Sequence, residues 1–180
     1  MTVDIKSSQG AKESFPDEID NYLREWFDAA LIYSPGQLSP QSDDFVAYVR
    51  QNGWPDTDAL RGKFVFCLSG NKDWKSYYAK TLPRQRLCFA DIDFDSGKLV
   101  TVPSSGQQII YSSNLSDSNF DTWRQSIASL RAANLIARGY VLNSQGIWQH
   151  AQQAKLNAFS TDKITGTTWA CVGTTPFVQL

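Results

Sequence analysis

Apolar positions from Phe15 onward recur with a helical period, and Ile19, Leu23, Trp26, Phe27, Ala30 and Leu31 share one face. Pro16 suits a first turn, while Asp17, Glu18 and Asp20 favour the positive end of the helix dipole. The stretch Tyr33-Ser34-Pro35-Gly36-Gln37 stops that helix. A second, shorter helix is predicted over Ser42 to Gln51, with Phe45, Val46 and Val49 inward and Gly53 as its cap. The period then changes. Lys63-Phe64-Val65-Phe66-Cys67-Leu68 is the near-continuous apolar run of a strand covered on both faces. A loop at Ser69-Gly70-Asn71 and a short helix from Asp73 to Lys80 follow it, and Leu87 to Ala90 is a second compact strand ending in Asp91-Ile92-Asp93.

Leu99 to Val102 and Gln108 to Tyr111 flank Pro103-Ser104-Ser105-Gly106, which predicts a hairpin or an extended insertion. A long helix is predicted from about Asp121, with Trp123, Ile127, Leu130 and Ala133 inward. Tyr140-Val141-Leu142 then reads as a short strand, Ile147 to Lys155 as a helix and Ala158 to Thr161 as a last strand. The tail from Thr165 reads as a packed irregular segment, and the aperiodic residues 1–14 as a flexible lead before one domain over 15–180. Strands alternating with helices predict an α/β fold of parallel βα units. Four strands at this spacing suit a small open sheet or one half of a (βα)8 barrel.

Composition narrows the chemistry. The 180 residues carry 17 Lys+Arg against 18 Asp+Glu, a balance that excludes a broad basic surface for nucleic acid. No apolar run approaches the ~20 residues of a membrane span, and the first residues lack the apolar stretch of a signal peptide, which leaves the compartment open. Three cysteines without ligand spacing suggest neither a disulfide framework nor a zinc site, and no metal ligands are assigned. Phosphate-loop, dinucleotide and nucleophile-elbow motifs are missing. A single histidine, His150, rules out any mechanism that draws two imidazoles from this chain.

Functional groups of parallel α/β folds gather beyond the carboxyl ends of the strands. That rule selects Ser69 and Asn71, Asp91 and Asp93, Asn143 and Gln145, and Thr161 and Asp162. Such residues can hold a hard cation or orient an acid or base, and they equally cap the helices that follow. Lys63, with Arg61 and Lys72, can meet an anionic group or serve as a solvated charge. Among the six tryptophans, Trp26, Trp123 and Trp148 are expected in the core.

Several segments resemble one family in order. Gly53-Trp54-Pro55 with Leu60-Arg61-Gly62-Lys63-Phe64-Val65-Phe66, the Tyr33-Ser34-Pro35 turn, Gly139-Tyr140-Val141-Leu142, Asn157-Ala158-Phe159-Ser160-Thr161-Asp162 and Cys171-Val172-Gly173-Thr174-Thr175-Pro176 are similar to calcium-dependent phosphoinositide-specific phospholipase C-like proteins, TIM-barrel phosphodiesterases. The resemblance implies the C-terminal half of that barrel, strands five to eight. The two catalytic histidines and most calcium ligands belong to the first strands, which have no counterpart here. It implies phosphodiester or phosphoinositide cleavage that this chain does not perform alone, with Asp162 as the catalytic carboxylate. Lys63, Ser69, Asn71, Asn143 and Trp169 are candidates for binding substrate. Where the family carries an arginine-rich run after its third matching strand, this chain has Asn143-Ser144-Gln145-Gly146. Implied too are Ca2+ held by the other half, a phospholipid or phosphodiester ligand, and a complementary half or a homodimer through open barrel edges. Members of the family are often secreted. The alternatives are a non-catalytic binding or regulatory module on such a barrel, or a small α/β interaction protein.

Overall fold

The structure is a computed structural model that describes residues 2–6, 15–163, 167–172 and 175–176. Residues 7–14 of the expected lead and parts of the tail lie outside the described residues. The elements run β1 (Thr2–Lys6), α1 (Phe15–Trp26), α2 (Pro35–Leu38), α3 (Phe45–Asn52), β2 (Val65–Ser69), α4 (Lys72–Lys80), β3 (Cys88–Asp93), β4 (Ile110–Asn114), α5 (Phe120–Ala132), β5 (Ile136–Tyr140), α6 (Gln145–Gln153), β6 (Ala158–Phe159), β7 (Cys171–Val172) and β8 (Thr175–Pro176). Strands alternate with helices, and the pairings of β1 with β2, β2 with β3 and β5 with β6 are parallel. The fold class is α/β, as the alternation predicts. The chain divides into two units, Met1–Ile92 with Pro103–Ile110, and Asp93–Val102 with Tyr111–Leu180.

In the first unit β1, β2 and β3 lie side by side. One face of β2 and β3 is apolar: Phe66, Leu68, Cys88 and Ala90 pack with Ile19 and Leu23 of α1 and Tyr78 and Ala79 of α4. Side chains alternate across a strand, so Cys67, Ser69, Phe89 and Asp91 take the opposite face. There Phe89 stacks on Tyr33 with ring centres 6.4 Å apart and meets Trp54 at 5.6 Å. The helical layer is pinned by Arg86, which bonds Asp17 at 2.6 Å and Asp20 at 3.1 Å and lies over the Tyr78 ring. Asp20 also accepts from the Leu87 amide and the Tyr78 hydroxyl. Burial works against the Arg86 charge, and the hydrogen bonds with both carboxylates outweigh it, so its pKa rises.

In the second unit the order is β4, β5, β6. Trp123, Ile127 and Leu130 of α5 and Trp148 of α6 are buried. Trp123 also donates its indole N–H to the Ser116 carbonyl at 2.8 Å. Gly139 of β5 marks a close approach: a Cβ there would meet Leu115 Cδ1 and Leu156 Cδ2 at 2.7 Å each.

Four expectations are corrected. Residues 2–6 of the expected lead form β1, in register with all of β2. Of the two readings for 99–111, the hairpin is not formed and an extended loop precedes Ile110: Gly106 accepts from the Val46 amide and donates to Asp44, which ties 103–110 to the start of α3, and Ile110 to Asn114 becomes β4, a strand not expected there. The strand placed at 140–142 lies earlier, at Ile136–Tyr140. Asn134 and Val141 have φ of 56° and 60°, and a β-branched residue in that left-handed region cannot continue a strand. Trp26, expected in the core, is 66% exposed where α1 ends.

Candidate functional site

The carboxyl ends of β2 and β3 hold a buried polar cluster. Pairing of Leu68 with Ala90 puts Ser69 beside Asp91, both on the face turned away from α1 and α4. The Ser69 hydroxyl donates to Asp91 Oδ2 at 2.6 Å. Lys75 of α4 reaches Asp91 Oδ1 at 2.6 Å, and the two side chains are only 3% and 1% exposed. Gln108 donates to the Asp91 carbonyl at 2.7 Å. Removing an ammonium and a carboxylate from water costs several kcal/mol per ion, and close pairing with further hydrogen bonds offsets that cost. Asn71 caps α4 beside this cluster, its Oδ1 accepting from the amides of Asp73 and Trp74 at 2.9 and 3.1 Å.

In the second unit, Asn143 after β5 and Asp162 after β6 interlock. Asn143 Nδ2 donates to Asp162 Oδ2, while Asn143 Oδ1 accepts from the Thr161 hydroxyl and the Asp162 amide, all at 2.9 Å. Asp162 remains exposed. Trp169 packs edge-on against Trp148 at 5.7 Å, and Trp148 meets Phe159 at 5.1 Å. Lys63 lies before β2, at the amino end of that strand, and donates to the Ala30 carbonyl. The structure therefore brings Ser69 and Asn71 together in one unit and Asn143 and Asp162 together in the other. Lys63 sits at the opposite end of its strand from Ser69.

His150 stacks on Phe120 with ring centres 4.0 Å apart, and its Nδ1 lies 2.9 Å from Asp117 Oδ1. Sequence reasoning passed over Lys75, although Lys75, Tyr78 and Ala79 fall at i, i+3 and i+4 on the buried face of α4. It also passed over Arg138, a residue of β5 that is only 8% exposed.

The structure is similar to a Ca2+-dependent phosphatidylinositol-specific phospholipase C from Streptomyces antibioticus, at TM-score 0.68 and 15% identity, over 90% of this chain and 64% of that one. It is also similar to a calcium-dependent phosphoinositol-specific phospholipase C from a Gram-negative bacterium, Pseudomonas sp, at TM-score 0.64 and 16% identity, over 88% of this chain and 57% of that one. The likeness is one of fold. The chain has the architecture of a half TIM barrel, and the sequence resemblance and the structural similarity point to the same proteins. It spans less than two thirds of the length of either structure. No family model and no curated protein matches the sequence.

Calcium takes six to eight oxygen ligands, carboxylates prominent among them. Among the described residues no three His, Cys, Asp or Glu side chains converge on one point, and Asp91 is engaged by Lys75 and Ser69. The described residues do not fit a calcium centre. No helix among them is long and apolar enough to cross a membrane.

Proposed function

We propose that this chain is the ligand-binding half of a phospholipase C-type phosphodiesterase: it holds a phosphodiester such as a phosphoinositide and does not cleave it alone. The observation that carries the reading is the buried Ser69–Asp91–Lys75 cluster at the carboxyl ends of parallel strands, on a fold shared with two phospholipases C. Those ends are where barrels of this kind assemble their sites. Cleavage of an inositol phosphodiester needs a base for the attacking hydroxyl and an acid for the leaving alkoxide. The sequence supplies one imidazole, and that one is stacked on Phe120 and bonded to Asp117. The acid/base pair and the calcium ligands then come from a complementary half, on the same polypeptide or on a second chain. That half would meet β1 or β6, the end strands of the sheet order among the described residues, since a strand at the edge of a sheet can accept a further one. Asp162 acts as a supporting carboxylate, positioned by Asn143.

The test combines sedimentation with phosphatidylinositol-containing vesicles and a cleavage assay with and without Ca2+. The chain should sediment with those vesicles more than with phosphatidylcholine vesicles and should release no product above a heat-killed control. Equal sedimentation with both would refute the ligand. Turnover by the chain alone would refute the division of labour. Light scattering after size exclusion should show a dimer, or a complex once the complement is added.

A further inference from the structure

Ser112 in β4 is 1% exposed, and its hydroxyl has no hydrogen-bond partner among the described residues. Nearly every buried polar group in a folded protein is paired, so an orphan hydroxyl marks a place that a missing group fills. Its direction follows from the strand. Leu115 lies against the side of β5 on which a Gly139 side chain would stand. Counting back in twos leaves Ser113 and Tyr111 on that side, and Ser112 on the other. The Phe94 amide donates to the Ser112 carbonyl at 3.0 Å, which in a parallel ladder puts Asp93 beside Ser112.

Arg138 shares that other face. Gly139 turns toward Leu115 and Leu156, so its strand neighbour Arg138 points oppositely, and the residue is 8% exposed. β4 and β5 are adjacent in the sheet. A guanidinium only donates, through five N–H groups in a planar fork, and it can serve an anion while also meeting protein acceptors. The Ser112 hydroxyl, on the same face of the neighbouring strand, has one hydrogen to give. A group that can accept from the hydroxyl and from the guanidinium together is an oxyanion with several acceptor oxygens.

We propose that Ser112 and Arg138 form an oxyanion site on β4 and β5, occupied by the phosphoryl group of the ligand. The choice of phosphate over another oxyanion rests on the phosphodiester reading above; the site itself rests on the orphan hydroxyl and the buried arginine. Asp93, next to Ser112 in the ladder, adds one negative charge nearby. The site therefore prefers a singly charged phosphodiester to a doubly charged monoester.

The test is calorimetric titration of the whole chain with inorganic phosphate, alongside thermal melts. Wild type should bind saturably. Ser112→Ala should weaken binding about tenfold, or about 1.4 kcal/mol, with Tm unchanged or raised because the hydroxyl has no protein partner to lose. Arg138→Met should abolish binding. Saturable binding that vanishes in Arg138→Met and weakens in a fully stable Ser112→Ala supports the site. No saturable binding by wild type, equal affinity in Ser112→Ala, or a lowered Tm in Ser112→Ala overturns it. Arg138→Met is informative only if it folds by circular dichroism, and Ser112→Ala decides the matter without it. Phosphate binding by a chain that ignores phosphatidylinositol vesicles would sink the lipid reading and leave this site standing. Vesicle binding without phosphate binding would do the reverse.

Discussion

Replacing Lys75 by Met keeps the length and most of the volume of the side chain while removing its charge. Asp91, 1% exposed, then loses the ammonium 2.6 Å from its Oδ1 and keeps the Ser69 hydroxyl on Oδ2. Breaking a buried ion pair from one side costs about 3–5 kcal/mol, because the remaining charge stays buried without compensation. Against a typical total of about 5–15 kcal/mol, that is a large share of the stability. The double variant Lys75→Met, Asp91→Leu tells this cause from lost packing. With both charges gone, no buried charge is left uncompensated, and exchanging a whole pair for apolar residues is commonly neutral or stabilising; the Ser69 hydroxyl loses its acceptor, which keeps the recovery short of complete. Urea unfolding followed by circular dichroism measures both. The midpoint should fall steeply in Lys75→Met and recover by more than half in the double variant. A loss below about 1 kcal/mol in Lys75→Met, the range of exposed pairs, would refute the claim that the charge on Lys75 sustains Asp91. A double variant as unstable as the single one would assign the cost to packing.

Arg86→Met should cost about 3 kcal/mol in the same assay, since Asp20 is 4% exposed and loses its cation. Gly36→Ala should lower Tm clearly, because a Cβ there overlaps the Arg84 carbonyl oxygen and overpacking against backbone costs about 1–3 kcal/mol. Stability should fall as pH rises from about 9 toward about 12. Burial pushes the Cys88 thiol up to about 12 and, with Tyr48 nearby, the Tyr33 phenol up to about 12, so the unfolded chain releases protons that the folded one keeps. Below the unfolded values both groups are protonated in both states, and a flat stability profile between about pH 9 and 12 would contradict this. Asp162→Ala should reduce turnover sharply in a preparation completed by its histidine-bearing partner, and unchanged turnover would remove Asp162 from the site.

The parts of the fold legible in the sequence are those with a local signal. The apolar run before Ser69 and the helical period of Trp123, Ile127 and Leu130 both declare their elements. β5 carries no such signal: Ile136-Ala137-Arg138-Gly139-Tyr140 mixes small and charged residues, and its limits are set by left-handed turns at Asn134 and Val141. β1 is equally silent, five residues whose strand state comes from pairing with β2. The same division runs through the polar residues. Ser69 and Asp91 were within reach because the end of an apolar run is visible. Lys75 required asking which face of α4 a lysine occupies, and Ser112 and Arg138 required knowing the true strand limits.

Each unit has its own hydrogen-bonding chemistry. In the first, Asp91 takes the charge of Lys75 and the hydrogen of Ser69, so that pair is neutral as a whole and the Ser69 oxygen is left to accept. Such a surface has little Coulombic pull on an anion, since the field of a close ion pair falls off quickly, and it suits a neutral group that donates. In the second, Ser112 has a hydrogen to give and Arg138 only donates, which suits oxygens that carry charge. Buried ion pairs are commonly replaceable by apolar residues at little cost, so a Lys75–Asp91 pair is weak evidence of a stability role. Its place at the carboxyl ends of β2 and β3 is the place where a parallel α/β fold meets its ligand.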